Sequence, residues 1–217
     1  MATLNLQVGA SNGDGRQSGQ ANDAGRIFTN GGVNVITDSA LSPGSHAGND
    51  EWSVGARFTG VTIAQGTTIT SATYTMKALA TYNAGANVVA FLVSGQAADN
   101  AGVFATSSGN LNNTNRPRTT AVSSVWNQTS IVGETDYSID VTSCVQEIIN
   151  RAGWASGNAL VILVDPNTTN SQDEWQDYYA YDNTPSKAPK LDITYTVGGA
   201  TSLLPQGPRL PMAILAR

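Results

Sequence analysis

ITSATYTMKA, residues 69–78, places apolar side chains at alternate positions. Ala72, Tyr74 and Met76 fall on one side of the segment, and hydroxyl side chains occupy most of the other. A repeat of two residues is typical of a β-strand with one buried and one solvated face. This segment therefore predicts a strand in a sheet that covers a core on one side only.

Similar short strands are predicted on both sides of this segment, separated by stretches rich in Gly, Asn and Ser. Residues 9–25 hold five glycines and predict a long loop. Eight to ten strands with few helices indicate an antiparallel jelly-roll β-sandwich, formed as one domain by residues 1–197. The other strands are predicted at residues 3–8, 33–37, 53–61, 87–93, 121–126, 137–141, 159–164, 178–181 and 191–197.

One short helix is predicted after residue 141. Ser143 and Gln146 have the spacing of a capping box, and Val145, Ile148 and Ile149 share one helical face. Gly153 is expected to end the helix, and Trp154 follows it as a large apolar side chain suited to pack the helix down. Cys144 is the only cysteine, which favours a small buried residue and excludes an internal disulfide.

Composition narrows the class of function. Charged residues make up 12% of the 217 residues, and the formal net charge is −5. Without a basic block, the sequence offers no electrostatic attraction for nucleic acid. No apolar run is long enough for a membrane helix, and the N-terminus does not resemble a secretory signal. The low charge is typical of extracellular β-proteins, yet no secretory signal is visible. A virion protein, which folds in the host cytoplasm and leaves by lysis, would reconcile these two observations.

The C-terminal end differs from the rest of the chain. Residues 198–202 form a Gly/Ser-type hinge, and three prolines in residues 203–217 forbid a helix or a central strand. The segment is predicted to be an extended apolar arm, folded back on its own domain or lying along a neighbouring subunit. The arm's large apolar side chains, its expected interface, are Leu203, Leu204, Leu210, Met212, Ile214 and Leu215.

The residues needed for common catalytic sites are scarce. His46 is the sole histidine and lies in a predicted loop, so neither a Ser–His–Asp nor a Cys–His arrangement has a second candidate base. A zinc site needs three or four nitrogen or sulfur ligands, which this sequence does not supply. These observations predict a non-catalytic protein.

Acidic and aromatic residues cluster between residues 173 and 181. Three interpretations are open: paired carboxylates of a glycosidase, a sugar-binding face of rings and carboxylates, or a polar loop that leads into an aromatic core strand. The candidate glycan-binding residues are Asp173, Trp175, Asp177, Tyr178, Tyr179 and Tyr181.

Two Asx-rich loops could hold calcium through carboxylate oxygens. The candidates are Asp14 and Asp23 in the first loop and Asp50 in the second. Asx residues more commonly form local turns, so no cofactor is predicted beyond such a structural ion.

Four stretches in a fixed order carry a family resemblance. They are RFTGVTIAQGTTITSA at 57–72, DVTSCVQEII at 140–149, RAGWASGN at 151–158 and APKLDITY at 188–195. Together they resemble the DNRLRE-type jelly-roll domains found in structural proteins of tailed bacteriophages and prophages, over roughly residues 50–197. Ala64 stands where the family pattern has proline.

The resemblance implies a jelly roll with a capping helix, and it concerns scaffold residues more than a site. It favours a bacteriophage virion structural protein, most simply a capsid decoration protein and otherwise a tail component. Its partners would be other virion proteins or copies of itself. The alternative is a carbohydrate-binding module for host surface glycans, and a glycan lyase or hydrolase is the third hypothesis.

Overall fold

The computed structural model describes residues 1–19, 34–35, 39–46, 50–83, 88–106, 111, 115–167 and 174–197. The predicted arm, including Leu203, Leu204, Leu210, Met212, Ile214 and Leu215, lies outside the described residues, as do Asp23 and Asp173. Strands are the main regular structure of the described part. No helix within it is long and apolar enough to cross a membrane.

The strands are short and follow one another along most of the described chain. In order they are β1 (Ala2–Gln7), β2 (Asp14–Gly19), β3 (Asn34–Val35), β4 (Ala40–Leu41), β5 (Gly44–His46), β6 (Asp50–Phe58), β7 (Ile69–Lys77), β8 (Tyr82–Asn83), β9 (Val89–Gln96), β10 (Arg118–Val122), β11 (Trp126–Gln128), β12 (Ser130–Ile131), β13 (Asp136–Asp140), β14 (Leu160–Pro166), β15 (Glu174–Trp175), β16 (Tyr178–Tyr179) and β17 (Lys190–Tyr195). The helix α1 (Thr142–Ile149) lies between β13 and β14, and two single 3-10 turns are at Ser11–Gly13 and Pro185–Lys187.

Two antiparallel sheets form the sandwich. The small sheet has the order β1-β17-β7-β13, and the main path of the large sheet is β10-β9-β14-β6-β2-β3. Strands that follow each other along the chain, such as β6 and β7 or β13 and β14, lie in different sheets, as jelly-roll connections require. The predicted antiparallel jelly-roll sandwich is confirmed, and the described residues contain one short α-helix, as expected.

The main core fills the space between the sheets. The central strands contribute alternate side chains to it, for example Leu160, Ile162 and Val164 from β14, which lies between β9 and β6. Phe58 of the large sheet meets Tyr74 of the small sheet edge to face, with ring centroids 6.3 Å apart. The alternate apolar residues that predicted β7 are therefore the ones that face this core.

The helix closes one end of the core, but its capping differs from the prediction. Cys144, Val145, Ile148 and Ile149 are buried, as their positions indicated. The capping box is wrong: Gln146 accepts a hydrogen bond from the Ile69 amide and donates to the Thr67 carbonyl, so it joins the helix to β7. The N-terminal amide of Thr142 is instead satisfied by the Asp140 carboxylate, 2.7 Å away. Tertiary hydrogen bonds have replaced the local box.

Two further predictions near the helix are settled by packing. The helix ends at Ile149 rather than at Gly153, and a Cβ at Gly153 would collide with the Asp99 carboxylate. The glycine is therefore explained by this close approach. Trp154 packs as expected: it is buried, and its indole donates to the Ile63 carbonyl at 2.9 Å.

The predicted loop at residues 9–25 is partly wrong. Residues Asp14–Gly19 form β2, which pairs with β6 in an unbroken antiparallel register. The strand has no apolar alternation: it contains glycines, and its buried Gln17 accepts a hydrogen bond from the Leu111 amide at 2.6 Å. Only its pairing with β6 makes this polar, glycine-containing stretch extended.

Candidate functional site

The outer face of the large sheet is covered by the segment that joins β9 to β10. We call this segment, residues 97–117 as far as they are described, the strap. Phe104 and Leu111 of the strap pack on Val161 and Leu163 of β14, which point away from the main core. The sandwich therefore has a second, smaller apolar cluster on its outside, and this part of the sheet face is not open to a ligand.

Two arginines fix the strap. Arg116 is buried and donates to the Gln96 side chain and to the Val103 carbonyl, at 2.7 Å each, with its guanidinium 4.2 Å from the Phe104 ring centre. Burial, together with the nearby charges of Arg57 and Arg118, lowers the pKa of Arg116 to about 10. The group remains a cation at neutral pH and acts as a multiple donor for the chain's own carbonyls.

Arg118 forms the central ion pair of this region. Its guanidinium donates two hydrogen bonds, of 3.0 and 2.7 Å, to the two oxygens of the buried Asp165 carboxylate. Ser53 donates a third bond to Asp165 at 2.6 Å, and Arg118 also donates to the Leu111 carbonyl of the strap. The charge-assisted hydrogen bonds of the buried Asp165 carboxylate therefore hold Arg118 and Ser53 in place, which is a structural role.

The outer face of the small sheet is uncovered by any described residue, and we call it the open face. Its side chains are all polar and are exposed or half-buried. The register aligns Asn5, Asp192, Thr73 and Asp140 in one row across the four strands. The members of the open face are Thr3, Asn5, Gln7, Ser71, Thr73, Thr75, Lys77, Asp136, Ser138, Asp140, Lys190, Asp192 and Thr194.

The aromatic cluster for which a glycan site was one of three interpretations is largely packed inside the protein. Tyr178 is fully buried, its ring stacks on Trp126 at 6.4 Å, and its hydroxyl donates to Gln176 at 2.8 Å. The burial raises the pKa of the Tyr178 hydroxyl. Because its ring faces are covered, Tyr178 has no free surface on which a sugar could stack.

Tyr179 is buried in a small polar cluster. Its hydroxyl donates to Glu134 at 2.5 Å, and Lys187 lies over its ring with the ammonium 4.4 Å from the centroid. The hydrogen bonds from Lys187 and Tyr179 lower the pKa of Glu134. The hydroxyl and one ring face of Tyr179 are thus already occupied by the chain itself.

The other predicted glycan residues are more accessible. Trp175 is half-buried and lies beside the half-buried Tyr82, with the ring centroids 6.5 Å apart and a tilt of 32°. Asp177 accepts a 2.5 Å hydrogen bond from Ser42. Tyr181 is half-buried as well. Tyr82 was not among the sequence candidates, because it comes from a two-residue strand nearly a hundred positions away from Trp175.

Asp14 lies in the core rather than on a metal-binding loop. The residue is 1% exposed, and its carboxyl accepts a hydrogen bond from the Tyr181 amide at 2.8 Å. Burial raises its pKa to about 7, and the charge of Asp182 adds to the rise. Among the described residues, no three His, Cys, Asp or Glu side chains are grouped to hold a metal ion, and the side chain of Asp50 lies outside the description.

One open groove of about 480 Å³ lies at the start of α1. Its polar atoms are already used by the fold: Asp140 binds the Thr142 amide, the Thr142 hydroxyl accepts from the Ala72 amide, and Ser123 accepts from the Val93 amide. The groove is therefore a shallow surface feature whose donors and acceptors hold the helix in place.

Comparison with known proteins adds no relative. No protein-family model matches the chain, and a search of the curated proteins finds no match.

Proposed function

We propose that this chain is a structural protein of bacteriophage particles, most simply a decoration protein of the capsid surface and otherwise a tail component, which attaches through its C-terminal arm. One observation supports this above all: the buried charged side chains and most of the aromatic rings of the described sandwich make their contacts within the chain itself. Asp165, Arg116 and Tyr178 are examples. What remains outside is a hydroxyl-rich surface typical of a scaffold.

The location of apolar surface supports attachment by the arm. Among the described residues, the exposed large apolar side chains are Met1 and six separate valines. The arm, in contrast, carries six large apolar side chains within residues 203–217. Burying each of these is worth about 1.5–3 kcal/mol, which favours contact with a partner or with the chain's own surface. The virion location follows as part of the same proposal.

The test is whether the chain is present in purified particles of the phage or prophage that encodes it. We expect the full chain to be found in purified particles by quantitative mass spectrometry, and a variant without residues 200–217 to be lost from them. A full-length control with Asp192→Asn, a change on the open face, should attach normally. Circular dichroism and thermal unfolding establish that the shortened variant is folded.

Either of two results contradicts the proposal. If the shortened chain attaches as well as the full chain, the arm is not the attachment element. If the full chain is missing from particles, the chain is not a virion component.

A second function, carbohydrate binding, is favoured by one specific observation. Trp175 and Tyr82 are half-buried neighbouring rings, and such rings can stack on the faces of sugars. A glycan array probed with the full chain tests this directly. Binding that Trp175→Ala and Tyr82→Ala both abolish, and that Thr75→Ala on the small sheet leaves intact, would favour this function. An array without binding would contradict it.

A further inference from the structure

The two edges of the small sheet differ in how they are protected. An edge strand exposes unpaired N–H and C=O groups, and natural proteins commonly protect such edges with charges, prolines, bulges or short strands. β13, at one edge, begins with Asp136 and ends with Asp140. In the large sheet, the outermost β3 has two residues, and β10 pairs with β9 through an irregular register.

β1, at the other edge of the small sheet, has none of these protections. Its sequence, ATLNLQ, has neither charge nor proline, and its register with β17 is unbroken over six residue pairs. No described strand pairs with its outer side. Leu4 and Leu6 pack against the main core but are only half-buried, so apolar surface remains beside the free backbone groups.

The hydrogen-bond pattern identifies the backbone groups that face outward. The Val8 amide donates to the Pro189 carbonyl at 3.0 Å, so Val8 directs its backbone groups towards the β17 side. Backbone direction alternates along a strand. Leu4 and Leu6 therefore direct their backbone groups to β17, and Thr3, Asn5 and Gln7 direct theirs away from the sheet.

We infer that β1 pairs with β1 of a second copy of this chain, antiparallel and about a two-fold axis at Asn5. Outward-directed residues must oppose one another in such a ladder, and the register with the longest overlap places Asn5 opposite Asn5 and Thr3 opposite Gln7. This register forms about six backbone hydrogen bonds. The two small sheets become one eight-stranded sheet.

The same register is complementary in its side chains. On the core side it places Leu4 of each copy opposite Leu6 of the other, at the closely spaced, non-hydrogen-bonded positions. The half-exposed leucines thereby cover each other. On the open face it brings together only neutral amides and a hydroxyl. A two-fold contact of this kind is self-complementary, as a homodimer interface requires.

Charge makes the other edge a poorer self-pairing site, although Lys77 pairs with one of its two aspartates, Asp136. Antiparallel pairing of β13 with itself about Ser138 would place Asp136 opposite Asp140 at both ends. Like charges directly opposite each other destabilise a strand pair. The neutral edge therefore selects a second β1 rather than a second β13.

Disulfide trapping in the full chain locates the contact. The natural Cys144 is buried, so Asn5→Cys provides one accessible thiol. Hydrogen-bonded antiparallel partners lie about 5.5 Å apart at Cα, within the ~4.4–6.8 Å span of a disulfide. We expect mild oxidation to convert most of the Asn5→Cys protein into a covalent dimer. Ser138→Cys, exposed at the centre of the other edge strand, is the matched control and should stay monomeric.

A charge substitution tests the register. Asn5→Lys places two ammonium groups opposite each other at the axis and should raise the dissociation constant for self-association about fivefold or more. Thr3→Lys adds the same charge to the same exposed face but opposes a neutral Gln7, so we expect about twofold or less. Both side chains point to solvent, so both variants should fold normally. Sedimentation equilibrium at high protein concentration suits this measurement, because one strand pair buries less than the ~1,600 Å² of a standard interface.

Three results would overturn the inference. The wild-type chain could be monomeric at about millimolar concentration, as it would be if the arm covered β1 of its own chain. The two cysteine variants could cross-link equally, which would indicate random collision. Thr3→Lys could weaken association as much as Asn5→Lys. The inference does not depend on the virion proposal, since self-association can be measured without particles.

Discussion

The two outer faces of the sandwich are built from opposite kinds of side chains. The face of the large sheet is covered by the strap, with Phe104 and Leu111 on apolar β14 residues and Arg118 paired to a buried Asp165. The face of the small sheet carries hydroxyls, amides and scattered charges at the surface. A long irregular segment needs specific donors to hold it, because it has no ladder of its own, whereas a face exposed to water needs none.

The largest expected effect is on the covered face. Asp165→Asn removes the charge that Arg118 binds and leaves a largely buried guanidinium without its counter-ion, which should cost about 3–5 kcal/mol of unfolding free energy. Denaturant unfolding provides the measurement. Asp192→Asn on the open face is the matched control and should change stability by less than about 0.5 kcal/mol. Equal effects at the two positions would remove the contrast between the faces.

Asp14 is buried, and its substitution tests how burial of a carboxyl group affects the pH dependence of stability. Its folded pKa of about 7 lies above the ~3.9 of an unfolded aspartate, so the folded protein holds more protons between these values. Stability should therefore fall as pH rises from about 4 to 7, by about 1.4 kcal/mol per pH unit at most. Unfolding measured across this range should show a flatter profile for Asp14→Asn, which carries no proton to lose. An unchanged slope in the variant would assign the pH dependence to other groups.

Alanine substitutions at two separate glycines, one under the strap and one within it, compare how tightly the two positions are packed. A Cβ on Gly55 would lie 2.5 Å from the Phe104 ring, so Gly55→Ala should destabilise the protein by about 1–3 kcal/mol. Gly102 lies in the strap itself, where an added Cβ meets nothing within 4 Å, and Gly102→Ala should have an effect within about 0.5 kcal/mol. Thermal unfolding compares the two. A neutral Gly55→Ala would show that the strap is not packed on β6.

The smallest effect is expected on the open face. Lys77 pairs with Asp136 at 2.7 Å, with the side chains 21% and 47% exposed. Such a pair is worth less than about 1 kcal/mol and is screened by salt. Lys77→Ala should therefore lower stability slightly, and less at high ionic strength. A loss comparable to that of Asp165→Asn would contradict the description of this face as polar and solvated.

The candidate site shows where sequence reasoning succeeds and where it cannot. The run of aromatics at 175–181 was visible, and a core strand was one of its open interpretations. The sequence could not distinguish Tyr178, buried against Trp126, from Trp175, half-exposed beside Tyr82. Both partners are distant in sequence, and neighbours of this kind are set by which strands meet.

The sequence by itself determined the all-β class, the strands with a period of two, the buried face of the helix and the scarcity of candidate catalytic bases. These follow from local periodicity and from residue counts, which need no knowledge of partners. Tertiary structure decided that residues 14–19 are a strand, that Gln146 binds β7, that Asp14 is buried and that β1 is an edge strand whose outer side pairs with no described strand. Each of these depends on pairing between segments far apart along the chain. The free energy of such pairing depends on both segments together, so neither segment predicts it alone.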